Sequence, residues 1–192
     1  MKKILLIACF FVNASFVFAQ KADSTAAKSA KTRNVDGTIM SSANDIATNI
    51  ALSPQLSVLS NAINVSGLAD NLKSGTITFF APANKAFEKL APGVLDTLLL
   101  PVHKTELVNL INNHMITGKF TSKDILKLIK AGNGQASLTT VAGGTLTAKL
   151  NENRNIVLTD ETGGQSTITR LDIEQRNGVL FIVDGVLLPK AK

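Results

Sequence analysis

Few residues in this chain carry groups that bind protons, metals or nucleophile partners. There are two histidines, His103 and His114, one cysteine, Cys9, and no tyrosine or tryptophan. The histidines stand eleven positions apart with no carboxylates clustered near them, which is not metal-ligand spacing. No Gly-x-Ser-x-Gly elbow, phosphate-binding glycine loop or His-Glu-x-x-His segment occurs. No catalytic set, metal site or cofactor is therefore expected. His114 falls on the apolar stripe of a predicted helix. Its imidazole is expected in the core, held by a hydrogen bond, because an unpaired buried polar group costs a few kcal/mol. Asn84 opens a predicted helix and is expected to cap it. Asp184, paired with Gly185, reads as a turn residue whose carboxylate accepts from nearby backbone N–H groups. Thr121 with Asp124 three places on has the form of a capping box, and Asp124 also suits the positive start of a helix.

The elements that must position these groups begin with two apolar runs. Val179 to Val183 is unbroken, β-branched and aromatic, and bounded by Asn177-Gly178 and Asp184-Gly185. Such a run is a strand buried on both faces or a piece of buried helix, and its β-branched and aromatic content favours strand. Thr76 to Phe80 is a second, stopped by Ala81-Pro82. These two are expected to form the centre of the core. Between and before them the pattern is helical. Asp45 to Ile50 is a short helix, and Ser53-Pro54 starts another with Ser53 as the cap. Leu56, Leu59, Ala62 and Ile63 share a face, and Gly67 interrupts. Asn84 to Leu90 is one more helix. Lys104 to Ile116 carries Leu107, Leu110, Ile111, His114 and Met115 at helical spacing, with Gly118 as its end. A last helix runs from Thr121 through Lys130. After Gly132-Asn133-Gly134 the period changes to two, with turns at Gly143-Gly144, Asn153 to Asn155 and Gly163-Gly164. Helices first and a strand meander second predict an α+β fold.

Residues 1–19 read as a signal peptide: Lys2 and Lys3, an apolar middle, then Val17-Phe18-Ala19 as a cleavage site. That stretch is too short for a retained membrane span. Leu6-Ile7-Ala8-Cys9 faintly resembles a lipid-attachment signal, but the apolar segment before it is only about five residues. Residues 20–37 are rich in Ala, Ser and Lys and read as a disordered basic leader. Residues 38–189 form the domain, and 190–192 a basic end. The net charge of +6 comes from these flanks. Between Thr38 and Pro189 there are twelve basic and twelve acidic residues. A neutral domain without base-stacking Tyr or Trp is not expected to bind nucleic acid.

Two stretches resemble a known family. TITFFAPANKAFEKL is similar to the first box of fasciclin domains, and NGVLFIVDGVLLP to the second. APGVLDTLLL, LVNLINNHMITGKFTSKDIL and the paired-glycine strands lie between them in the family's order. The resemblance covers about Asp45 to Pro189. It implies a β-wedge or sandwich of about seven strands with helices packed along it, exported or anchored outside the cell, and used for adhesion or matrix contact. The chain departs from the pattern at Ala83, where Thr is usual, and at Phe181, where His is common. The family's Tyr-His pair is Asn113-His114 here, so the binding role of that pair in animal members does not carry over. The resemblance implies that His114 ties its helix to the first box, with Asn84 as the expected partner. Lys123-Asp124-Ile125-Leu126 resembles a short Asp-Ile adhesion motif of some animal members.

The reading that follows is an exported, non-enzymatic interaction module, periplasmic or secreted. Its expected partner is a cell-surface or matrix protein or polysaccharide, met through Lys123, Asp124, Ile125 and the face around Asn113. The alternative is a carrier of a small apolar ligand, such as a pigment or lipid, bound where helices meet the wedge. A hydrolase is the third and weakest reading.

Overall fold

This computed structural model describes residues 30–190. The signal peptide expected over 1–19, Cys9 within it, and residues 20–29 of the expected leader lie outside the described residues. In chain order the elements are β1 (Thr32–Val35), β2 (Thr38–Ser41), α1 (Ile46–Ala51), α2 (Ser57–Ser66), β3 (Ile77–Pro82), α3 (Asn84–Phe87), α4 (Val94–Leu98), α5 (Lys104–Asn113), β4 (Met115–Thr117), α6 (Ser122–Ala131), β5 (Gln135–Thr139), β6 (Thr145–Leu150), β7 (Ile156–Thr159), β8 (Gln165–Gln175) and β9 (Gly178–Val183).

The two apolar runs do meet. β3 and β9 pair in parallel, from Ile77 against Gly178 to Pro82 against Val183. They lie inside a seven-stranded sheet of order β4-β3-β9-β8-β7-β6-β5 whose other neighbours are antiparallel. The sheet curls towards a barrel: Val141 N donates to Met115 O at 2.8 Å, between the chain beyond β5 and the opposite edge strand β4. The unbroken apolar run of β9 has its reason here, since both faces are covered. Leu180 and Ile182 face a core shared with α1, α2 and α5, while Val179, Phe181 and Val183 face a second core inside the curl. Phe80 and Phe181 pack there with ring centroids 5.6 Å apart, against Ile125 and Ile129 of α6. The α+β reading and the wedge of about seven strands hold.

Three boundaries differ from the sequence reading. The first is the leader. Thr32–Val35 falls within the stretch expected to be disordered, yet pairs with Thr38–Ser41 around Asp36-Gly37. Both turn residues have positive φ, +48° and +91°, the geometry an Asp-Gly hairpin turn needs. Val35 and Met40 are buried, and Arg33 donates to Leu171 O and Asp172 O. Tertiary contact, which one buried valine barely signals, makes this strand. The second is α5, which stops at Asn113 rather than Ile116. Met115–Thr117 leaves the helix to pair with Ile77–Phe79, so Met115 keeps its place in the apolar stripe but enters the core from a strand. The third is β3, which runs on through Ala81-Pro82. Pro82 is tolerated there because Ala83 N, the next donor, reaches Val183 O at 3.1 Å. Ser53 stands before the first-turn Pro54 as expected, but its hydroxyl makes no cap bond.

Candidate functional site

Among the described residues the chain enters no further strand after β9. Gly185 to Leu188 runs as a strap across the open end of the curl, fastened by side chains. Ser166 Oγ accepts from Gly185 N at 2.8 Å and donates to Gly185 O at 2.9 Å. Asn113 Nδ2 donates to Leu187 O at 3.2 Å, and Asn113 Oδ1 accepts from Thr140 Oγ1 at the same distance. Asp160 Oδ2 accepts from Leu188 N at 2.7 Å, while its Oδ1 accepts from Gly164 N and Thr162 N. Leu187 is fully buried.

His114 completes this set. It follows the last turn of α5 and is 2% exposed. Nδ1 donates to Leu110 O at 2.9 Å, which leaves Nε2 as the acceptor for Leu187 N, also at 2.9 Å. Desolvation pushes its pKa down to about 4, against the opposing pull of the Leu110 carbonyl and the Asp160 charge. The ring is neutral at pH 7, as an acceptor nitrogen must be. The tie to the first box is present, but through backbone: His114 O accepts from Phe80 N at 2.9 Å.

Asn84, the expected partner, is elsewhere. Its Oδ1 accepts from Val58 N at 3.0 Å, and its Nδ2 donates to Pro54 O at 2.9 Å and Ser57 Oγ at 3.0 Å. It clamps the start of α2 and does not cap its own helix, whose cap position is Ala83. The missing cap function has a plain cause: Asn84 is already inside α3, one residue too late. Asp184 accepts from Thr167 N at 2.7 Å and lies 3.3 Å from Lys89 Nζ. It therefore holds the end of β9 to β8 rather than bonding locally.

The interaction set divides. Asn113 and Ile125 are buried, at 2% and 0% exposure, and leave the set. Asn113 points into the strap, and Ile125 into the core that α6 covers. Lys123 is exposed. Asp124 is half-exposed and completes the capping box: Oδ2 accepts from Thr121 N at 3.0 Å and Thr121 Oγ1 at 2.6 Å. Those two bonds lower its pKa, overriding a small desolvation effect, with Lys127 at 3.7 Å helping.

Four residues that sequence reading missed hold the fold around these. Asp160 and Ser166 fasten the strap. Asp172 accepts from Ser122 N at 2.6 Å and fixes the start of α6, while sitting at φ +53° in the bend of β8. Asn177 accepts from Ile46 N at 3.0 Å and donates to Leu72 O at 2.7 Å. Asp160 had a readable signal, since Asp-x-Thr-Gly-Gly is a side-chain-stabilised turn. Asn177, followed by Gly178, reads in the sequence only as a turn pair. Among the described residues no three His, Cys, Asp or Glu side chains cluster to hold a metal, and no helix is long and apolar enough to cross a membrane.

The chain matches the Fasciclin domain over residues 54–189. Protein sll1483 of Synechocystis sp. is 31% identical over 134 residues, which are 69% of this chain and 67% of that one. Immunogenic protein MPB70 of Mycobacterium bovis is 27% identical over 143 residues, covering 72% of this chain and 65% of its own length. The solved FAS1 domain pair of the insect cell adhesion molecule fasciclin I has this fold, with a TM-score of 0.67 over 85% of this chain and 67% of that one at 16% identity. The two boxes form the parallel centre of the sheet, the second runs on into the fastened strap, and the match spans both: this chain belongs to the fasciclin domain family.

Proposed function

We propose that this protein is an exported, non-enzymatic interaction module that attaches to a cell-surface or matrix component. The observation that carries the reading is where its interior polar groups go. His114, Asn113, Asp160 and Ser166 are all engaged with the backbone of the strap. Their hydrogen-bonding capacity holds the fold, so recognition falls to the outer faces. Family membership supports the same reading, because an insect cell adhesion molecule shares the fold. The test uses protein-coated beads. Attachment of the native host's cells and of matrix polymers is counted against beads carrying an unrelated neutral protein. Attachment above that control is the expected result; attachment equal to it sinks the reading.

A second reading is a carrier of a small apolar ligand. It is supported by an open hollow of about 620 Å³ between α5 and the strap's end, lined by Val108, Asn109, Asn112 and Pro189 among others. The chain has no Trp or Tyr, so a bound chromophore would dominate its near-ultraviolet spectrum. Mass spectrometry of protein from the native host decides: no extractable small molecule removes the carrier reading.

A further inference from the structure

The domain is neutral overall, but its charge is not evenly spread. Lys119, Lys123, Lys127 and Lys130 fall within twelve consecutive residues whose single acid is Asp124. From Thr38 to Pro189, the rest of the domain holds eight basic and eleven acidic residues. The basic excess therefore sits on α6 and the short loop before it. α6 places Lys123, Lys127 and Lys130 at i, i+4 and i+7, so they share one narrow face about 10 Å long. All three are exposed. Asp124, on the same helix, is held in the capping box by Thr121, and its contact with Lys127 is a loose 3.7 Å. Asp172, the other acid at this end of the helix, is engaged with Ser122.

We propose that the outward lysine row of α6 docks a linear anionic polysaccharide, its carboxylates or sulfates meeting Lys123, Lys127 and Lys130 in turn. This names the partner class for the attachment reading and rests on it. Charge complementarity is the first argument. A straight row of ammonium groups suits a chain of repeating anions, and each is a point charge that accepts either oxyanion. Rigidity is the second. The capping box and the Ser122–Asp172 bond fix one end of α6, and Ile125 and Ile129 anchor its inner face, so the row is ordered before binding. Leu126, 38% exposed beside the row, offers an apolar contact to the C–H face of a sugar ring. An anionic membrane fits less well. A surface-bound helix turns its apolar face to the lipid, and the apolar face of α6 is buried in its own domain.

The experiment measures binding of the full chain to immobilised dextran sulfate and polygalacturonate, with neutral dextran and phosphatidylglycerol vesicles as comparisons. Wild type is expected to bind both anionic polymers and not dextran, with affinity falling about 2–3 powers of ten per tenfold rise in salt, as three released counterions require. Lys123→Gln/Lys127→Gln/Lys130→Gln is expected to lose at least about tenfold in affinity with an unchanged circular dichroism spectrum, since Gln is as good a helix former as Lys. Lys85→Gln/Lys104→Gln/Lys149→Gln removes the same charge from other exposed sites and is expected to bind within about twofold of wild type. Equal losses in the two triples, no binding to either polymer, or tighter binding to the vesicles overturns the proposal. Beads that attach to cells as well with the α6 triple as with wild type overturn it too, while leaving attachment itself standing.

Discussion

His114 ties acid stability to a single buried ring. Its folded pKa of about 4 lies below the 6.5 of an unfolded histidine. Below pH 6.5 the unfolded chain takes up a proton that the folded chain refuses. The contribution is therefore fully present above pH 6.5, declines as pH falls, and levels off near pH 4. The full span is about 3 kcal/mol. Urea unfolding at pH 7, 5.5 and 4 should show that decline, and His114→Gln should flatten it; an equally steep decline in the variant would reject the assignment. Gly178 is the second sensitive point. A Cβ there would stand 1.8 Å from Ile77 O on the parallel neighbour. Gly178→Ala is expected to abolish soluble, folded protein, whereas Gly143→Ala, which meets nothing within 4 Å, strains only a surface turn at φ +85° and should fold. Sequence reading placed His114 in the core from its spacing alone. It named the wrong partner because Leu187 is 73 residues away and a backbone donor leaves no mark in side-chain identity.

Among the elements, α6 was the most legible. Thr121 and Asp124 spelled its capping box, and both halves of that box form. Thr121→Ala is expected to lower stability by about 1 kcal/mol, about 3 °C in Tm, measured by thermal unfolding. Because Asp124 serves the same box, weakened attachment in Asp124→Ala would mix a frayed helix with a lost contact. The paired measurement with Thr121→Ala separates them: equal attachment loss in both variants assigns it to the helix end. The α5–β4 boundary was illegible for the opposite reason. Met115 and Ile116 continue a helical stripe by type and spacing, and only pairing with Phe79 and Thr78 makes them a strand. Local pattern loses wherever a distant strand supplies the hydrogen bonds. The β1–β2 hairpin was hidden likewise, although Asp36-Gly37 announced the turn.

For the whole molecule, the strap is a fastening made by Ser166, His114, Asn113 and Asp160 where a ladder would otherwise run. A chain ending at Val183 keeps every strand yet loses all four ties and uncovers the core that Leu187 fills. Such a truncation is expected to be cut by trypsin at low concentrations that leave the full chain intact; equal resistance would show the strap to be dispensable. The pairing of β3 with β9 has a consequence in time as well as in space. β9 is the last of the sheet's seven strands in sequence, yet it lies inside the sheet, between β3 and β8. A ribosome making this domain has released the other six strands of the sheet before its middle exists. The helices and the meander must wait, with their apolar faces uncovered, for the closing residues to emerge. A nascent domain of this topology stays threadable until β9 has emerged, so a pore that passes only extended polypeptide and meets it earlier would meet it unfolded.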